Sequence, residues 1–415
     1  MLNIFLFHRD LRLVDHRPLQ HCLSLGFVVL PLFVFDPRQV DPNIKIRSVK
    51  SMACLFQSLE ELNEQLASSK HKSSLCLAYG DVINVLAFLH DKHGIHSVVE
   101  TRDYTPFALK RQETIQNWCV KNSTNHVLID DLYFFAPGTV LNKSGKVFQK
   151  FTPFYNIISK KEIPKPLGEV HGKFIQTIVK TPYSVSLNVL YKKLCPSHPH
   201  WTKERRKYKG GRKEGLRLLR HLPLDYDVSK SLEKSGLSVH HHYGTISVRE
   251  SYDQAERLIK ERNAQLKEFQ RQLFWRDFYG NIMAFFNELY HIDPLTFQSP
   301  KSLSRKQQSV LDKWCDGTTG IAIIDAAMNQ LNTEGFMPNR FRMIVASWLI
   351  KDMKIPWRYG ERYFANHLLD YDLTQNMMNW IWIASVLPFA SAPFRRFSTK
   401  NVLPEEHPYL TQWKT

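Results

Sequence analysis

Residues 370–382 read DYDLTQNMMNWIW, and the interpretation of this stretch decides the fold. Wound as an α-helix, it puts Asp372, Asn376 and Trp380 on one face at i, i+4 and i+8, with Trp382 roughly 200° round the axis from Trp380. So many polar groups on an otherwise apolar helix cost several kcal/mol to bury unless a ligand or partner satisfies them. A helix whose two tryptophans face opposite ways, with an Asn on one stripe, can separate two compartments. The stretch reads as ligand-facing rather than as plain core.

Two other stretches carry weaker signals of the same kind. In QRQLFWRDFYGNIMAFF (270–286), Gln272 and Trp275 share a helix face and Arg276 turns about 100° away. An amide beside an indole suits one end of a ring-shaped ligand such as a base, although in isolation an interface tryptophan beside a surface Gln is the commoner case. In GFMPNRFRMIVASWLIKDM (335–353) a helix opens at Pro338, and Asn339 shares a face with Met343 and approximately with Arg342. An amide, a thioether and guanidinium groups near one helix start suit a base and a phosphate, though alone the pattern is an ordinary helix start. His240, His241 and His242 are consecutive, so they do not converge on one point, and no metal site is expected.

A chain of 415 residues predicts two domains. In its first 135 residues Leu2–Phe7, Phe27–Phe35, Leu75–Tyr79, Ser97–Glu100 and Val127–Leu132 read as strands, separated by amphipathic stretches such as Met52–Leu66 and Val82–His93. Near-continuous apolar strands alternating with helices imply a parallel sheet covered on both faces, a Rossmann-like α/β domain over 1–135. The turn HRDLRLVDH (8–16) contains no GxGxxG, so the dinucleotide fingerprint is missing. From 136 to 200, Pro137, Pro153, Pro164, Pro166, Pro182, Pro196 and Pro199 interrupt every long period. This reads as a connector with a short helix near Tyr155–Lys161. Residues 201–415 are all-α in pattern. They open on a basic stretch, Lys203–Arg220, whose default reading is a solvated face. Pro338 and Pro356 sit where first-turn prolines belong, and Gly335 and Gly360 punctuate.

Fifty-six basic against 39 acidic residues give a net charge of +17, which favours a polyanionic partner, nucleic acid before membrane. Six scattered cysteines without a CxxC pair fit a reducing compartment. No apolar stretch approaches the roughly 20 residues of a spanning helix, and LNIFLF is too short for a signal peptide. A soluble intracellular protein is expected, in cytoplasm or nucleus.

Together these stretches resemble the photolyase/cryptochrome flavoprotein family over nearly the whole chain. HRDLRLVD (8–15), TRDYTPFALKRQE (101–113), FTPFYN (151–156) and KSGLSVHHHYGTISVRE (234–250) resemble its motifs in order, and the block from Trp314 through WRYGERYF (357–364) to NWIW (379–382) is the most specific. The resemblance implies an α/β antenna domain and an all-helical domain holding FAD in a U-shape. It places Tyr226, Lys234, Ser235, Gly236, Leu237 and Ser238 at the phosphates. Arg276, Arg342, Asp370, Tyr371, Asp372 and Asn376 fall around the isoalloxazine, with Asn376 near its central redox nitrogen. Trp380 would pass an electron to excited flavin and Trp357 would refill it. Gln272, Trp275, Asn339, Arg340, Met343 and Trp382 match positions that receive a flipped-out pyrimidine dimer, so Gln272 joins Trp380, Trp357 and Asn376 among the catalytic candidates. The implied activity is light-driven splitting of cyclobutane dimers in UV-damaged DNA by a monomer. An antenna chromophore of folate or deazaflavin type is left open.

The chain departs from the pattern in places. Gln272 stands where dimer photolyases of the bacterial class usually carry Glu, and Gln is what the (6-4) branch and animal cryptochromes show. That branch needs a histidine beside Pro338 and Asn339, where none stands, and Asn339, Arg340 and Met343 favour cyclobutane dimers. Pro338 replaces the more frequent His, and Lys234 the usual Thr. Ser304 lies where the distal tryptophan of the electron chain is expected, so photoreduction would stop at Trp357 or run through a tyrosine such as Tyr363. The chain ends soon after FRRFSTKN (394–401), without a long signalling tail, which weighs against a cryptochrome. A cryptochrome-type photoreceptor and a (6-4) photolyase remain the alternatives.

Overall fold

The computed structural model describes residues 1–41, 48–196, 209–226, 235–286, 303–386, 396–400 and 402–414. The apolar runs of the first part form an all-parallel sheet in the order β3-β2-β1-β4-β5. Its strands are β1 (Leu2–Phe7), β2 (Val29–Phe35), β3 (Cys76–Tyr79), β4 (Ile95–Thr101) and β5 (Asn125–Ile129). β1 is central and buried along its whole length, as a strand covered on both faces must be. The helices Arg17–Ser24 and Val49–Leu66 supply one apolar layer, and Val82–His93 and Pro106–Lys121 the other. The α/β plus all-α class read from the sequence is the class of the fold.

The connector is more ordered than its prolines suggest. Its first half packs into the helical core through Val140, Phe151, Phe154 and Ile158, and its helix is Phe151–Ile158, starting four residues before the expected Tyr155. Pro153 falls in the first turn, where a missing N–H removes no helical bond. Its second half returns to the sheet: Val29 N–H donates to Lys173 O and Ile175 N–H to Val29 O. A second helix, Leu187–Leu194, buries Leu190, Tyr191 and Leu194 there behind a Ser186 cap. Eight residues are too few to show a convincing period.

From Arg212 onward the described chain is helical. Pro338 and Pro356 occupy the cap positions of Asn339–Ser347 and Trp357–His367, one residue before the first turn. Gly335 ends the helix Ala322–Glu334 at φ +73°. Gly360 does not punctuate: it lies inside Trp357–His367, where a Cβ would collide with the Trp380 ring. Lys203, Arg205, Arg206, Lys207 and Lys234 lie outside the described residues. In the helix Arg212–Arg220 the basic side chains Lys213, Arg217 and Arg220 are exposed, as a solvated face requires, while Arg212 is buried against Glu250. The helix start is clasped to Val49–Leu66, with Gly210 N–H on Gln57, Gly211 N–H on Ser58 Oγ, Lys213 N–H on Glu61 and Lys213 Nζ on Glu64.

A buried ionic cluster joins the two parts of the chain. Arg12 (2% exposed) bonds Asp131, donates to Gly244 O at 3.1 Å and reaches Asp15 O at 2.8 Å. Arg249 from the helical side donates to Asp15 Oδ2 at 2.9 Å and Asp131 Oδ1 at 2.7 Å. Asp15 also accepts from the Leu167 N–H at 2.8 Å and from Ser247 Oγ. Its backbone is left-handed at φ +50°, which Asp tolerates better than most residues. Removing this carboxylate would leave Arg249 with part of its pairing gone in a dry site. Asp15→Ala is therefore expected to cost about 3–5 kcal/mol, measured by urea unfolding, and a loss below about 1 kcal/mol would contradict this account.

Candidate functional site

The helix Lys267–Met283 projects Gln272, Trp275, Arg276 and Tyr279 into one cavity of about 420 Å³. Facing them are Asn339, Arg340, Arg342 and Met343 from the start of Asn339–Ser347, together with Asp370, Asp372 and Trp382. Tyr226, Ser235, Gly236 and Ser238 close one end. A smaller chamber of about 60 Å³ adjoins it, lined by Asn376, Trp380, Tyr371 and again Arg342, Asp370 and Asp372. The helix Leu373–Ala384 thus gives Asn376 and Trp380 to the chamber and Trp382 to the wider cavity. Leu237 is buried, its side chain in the helical core. Trp357 packs against both helical clusters with Arg358 over its ring at 5.5 Å. The rings set edge-on against Trp380 are Phe364 at 5.1 Å and Trp314 at 6.4 Å.

Polar groups around the chamber are held by hydrogen bonds, some to one another and some to Glu361 behind it. Arg342 NH2 grips both oxygens of Asp370, at 3.0 and 2.9 Å, while its Nε donates to Met337 O. Asp372 caps its helix by accepting the Gln375 N–H at 3.0 Å. Burial pushes the Asp372 carboxyl up, but Arg9, Arg276 and His242 outweigh it and hold it at about 2. Asn376 Nδ2 and the Tyr371 hydroxyl both donate to Glu361 Oε1 at 3.1 Å. Glu361 is 2% exposed, and burial drives it up to about 7 against those two bonds. In the wider cavity Trp275 lies face to face on Phe151 at 3.8 Å and 7°, and meets Trp382 at 6.3 Å and 63°. Gln272 Nε2 donates to Glu268 Oε1 at 2.7 Å. His242 is pushed down to about 4, chiefly by burial, and its buried Nδ1 has no hydrogen-bond partner among the described residues.

Sequence profiles of two families match the chain: "DNA photolyase" over residues 3–169 and "FAD binding domain of DNA photolyase" over residues 269–408. A deoxyribodipyrimidine photo-lyase of Alkalihalophilus pseudofirmus is 31% identical over 94% of this chain and 82% of its own length. The chain belongs to the photolyase/cryptochrome family. Among solved family structures, an archaeal photolyase of Sulfolobus tokodaii with two FAD molecules superposes at a TM-score of 0.81, with 30% identity, 100% of this chain and 90% of that one covered. A class III photolyase of Agrobacterium tumefaciens gives 0.83 at 26% identity, covering 99% and 86%.

FAD is the cofactor of this family's helical domain, and the residues present suit it. Asp370, Asp372 and Asn376, each 7–8% exposed, are polar groups aimed into enclosed space. Arg276 and Arg342 supply positive charge beside them, and His242, whose buried Nδ1 is unsatisfied among the described residues, lines the same cavity. Sequence reasoning missed Glu361, His242, Gln375, Asn379 and Phe151. Of these, only Glu361 carried a usable signal, an acid four residues after Trp357 on a face that continues into Phe364 and Ala365. The others owe their place to contacts distant in the chain.

Among the described residues no helix is long and apolar enough to cross a membrane. Glu361 yields a pH prediction. Its folded value of about 7 lies above the ordinary 4.5, so the unfolded state loses the proton first as pH rises. Stability should fall between about pH 4.5 and 7, by up to roughly 3 kcal/mol. Glu361→Gln keeps an oxygen for Tyr371 and Asn376 but cannot ionise, so its melting midpoint at pH 8 should exceed wild type, with the gain vanishing near pH 4. Parallel pH profiles for the two proteins would refute this.

Proposed function

We propose that this protein repairs UV-damaged DNA by splitting cyclobutane pyrimidine dimers with light. The observation that carries the reading is the two-tier cavity, with aromatic walls Trp275 and Trp382 above a polar chamber floored by Asn376 and Trp380. Flat apolar walls accept the faces of extruded bases, and a dimer is cheaper to extrude than an intact pair. Reduced FAD, when bound, supplies the photoexcited electron. Gln272, with its NH2 tied to Glu268, offers its carbonyl oxygen to a pyrimidine imide N–H. Asn339 adds an amide, Arg340 a cation and Met343 a polarizable sulfur to the same rim. Phe151 holds the Trp275 plane, so the wall is set before the lesion arrives. The +17 net charge supplies the sequence-independent attraction to phosphates.

A further cavity of about 380 Å³ lies at the C-terminal ends of β1, β2 and β4, lined by His8, Arg9, Asp36, Arg38, Asp103 and Arg111 among others. Ligands of open parallel sheets bind at this edge, which supports an antenna chromophore there. Extraction of the purified protein should release a second chromophore besides the helical domain's FAD.

Repair is tested by irradiating the reduced protein with blue light over oligonucleotides carrying either a cyclobutane dimer or a (6-4) product. Restored thymines from the first lesion alone are expected; binding without restoration would sink the reading. Trp275→Ala should weaken dimer-DNA binding about tenfold or more while flavin content stays unchanged. Phe151→Leu should weaken it about threefold to tenfold, since it removes only the support of that ring.

A further inference from the structure

The first loop of the α/β domain sends one side chain into the flavin-side electrostatics. Arg9 follows β1 directly and divides its guanidinium between two carboxylates: Nε donates to Asp103 Oδ2 at 2.9 Å and NH1 to Asp372 Oδ2 at 2.6 Å. Asp372 has no spare orientation, because its other oxygen caps the helix that carries Asn376 and Trp380. The loop itself is seated without slack. Leu11 N–H donates to Tyr243 O at 3.0 Å, and a Cβ on Gly244 would collide with the Arg9 carbonyl. Arg9 also lines the sheet-edge cavity, whereas Asp372 lines both tiers of the other. The wall between the two sites is thus partly an ion pair.

We propose that Arg9 is a positioning residue for the flavin site, fixing the Asp372 carboxylate from the opposite domain and balancing its charge. The proposal rests on the placement of Asp372 beside the flavin. The other charged and titratable groups that act on Asp372 are Arg276, His242, Asp103 and Tyr133. Burial presses His242 toward its neutral form, so Arg9 and Arg276 are the standing cations there. Without Arg9, Asp372 keeps a negative charge with half its compensation gone, which opposes adding electrons to a neighbouring acceptor. Without Asp103, the guanidinium is released wholly to Asp372, which acts in the opposite sense.

Arg9→Gln, Arg9→Lys, Asp103→Asn and Asp372→Asn are compared by redox titration of bound FAD, by flavin affinity of the apoprotein and by urea unfolding. Arg9→Gln should weaken binding of reduced flavin about tenfold relative to oxidised, a fall of about 30 mV in the two-electron midpoint. Arg9→Lys should recover most of that shift, and Asp103→Asn should move the midpoint upward. A purely structural ion pair predicts lower stability in both Arg9→Gln and Asp103→Asn with an unmoved midpoint, and that result overturns the proposal. If Asp372→Asn shifts the midpoint but Arg9→Gln does not, the Arg9 inference fails while the flavin-side placement of Asp372 stands. If neither shifts it, the placement fails as well. Should Arg9→Gln not fold, opposite signs for Asp103→Asn and Asp372→Asn relative to the Arg9→Lys protein would overturn it, and matching upward shifts would support it.

Discussion

The fold hangs on a group of buried charges that belongs to neither domain alone. Arg12, Asp15 and Asp131 come from the sheet side and Arg249 from the helical side, all with side chains 2% exposed or less. Burying four ions costs several kcal/mol each, and only close pairing with additional hydrogen bonds offsets it. Those extra bonds exist here: Arg12 also takes the carbonyls of Val14, Asp15 and Gly244, and Asp15 takes the Leu167 N–H and Ser247. The requirement is directional, so it specifies one docking of the two domains where an apolar interface would tolerate several. It also explains why the turn after β1 lacks the glycines of a dinucleotide fingerprint. That turn is occupied with holding a second domain.

This docking is what encloses the cavities. Arg9 and Asp10, beside the cluster in sequence, bear on Gly244 and on the end of the helix Ser238–Tyr243. That segment contributes Ser238, His241 and His242 to the cavity wall. A second support comes from the helix Lys267–Met283, which works on two faces. Trp275, Arg276 and Tyr279 look into the cavity. Asp277 and Asn281 look the other way and take the N–H groups of Phe134, Phe135, Gly138 and Val140. The crossing chain is thereby tied to the back of the helix that presents the cavity's aromatic wall.

Legibility in the sequence followed the range of the interaction. β1 and β2 were readable because a strand buried on both faces must be continuously apolar over its own few residues; β3 and β5 are only partly buried and were readable from their short apolar runs. Their ends shifted by up to three positions, as at β5, where polar Asn125 enters the ladder because Ser97 lies opposite it. The Asn376 helix was readable because 3.6-residue periodicity puts its polar stripe and its two tryptophans on different sides without reference to anything else. The roles of Arg9, Phe151 and Glu361 were not readable in that way. Each depends on a partner 15 to 363 positions away; Glu361 carries a local mark in its spacing from Trp357, and nothing local marks the other two. Gly360 shows the same limit from the other direction. A glycine in a helical run resembles a stop, yet this one is required in mid-helix by a ring arriving from another element.

That ring has a consequence for how the two tiers stay distinct. A mid-helix glycine costs about 1 kcal/mol relative to alanine, so a fold that keeps one must gain from the closeness it permits. At Gly360 the gain is the seating of Trp380, which is 2% exposed and lies between Phe364 and Trp314. With Trp380 wedged there, the helix Leu373–Ala384 cannot rotate without breaking that packing. Rotation is the one motion that would exchange its faces, carrying Trp382 out of the wide cavity and Asn376 out of the chamber. The Asp372 cap, fixed by Arg9 at one end, and the Trp380 wedge, fixed by Gly360 near the other, therefore set the register on which both tiers depend.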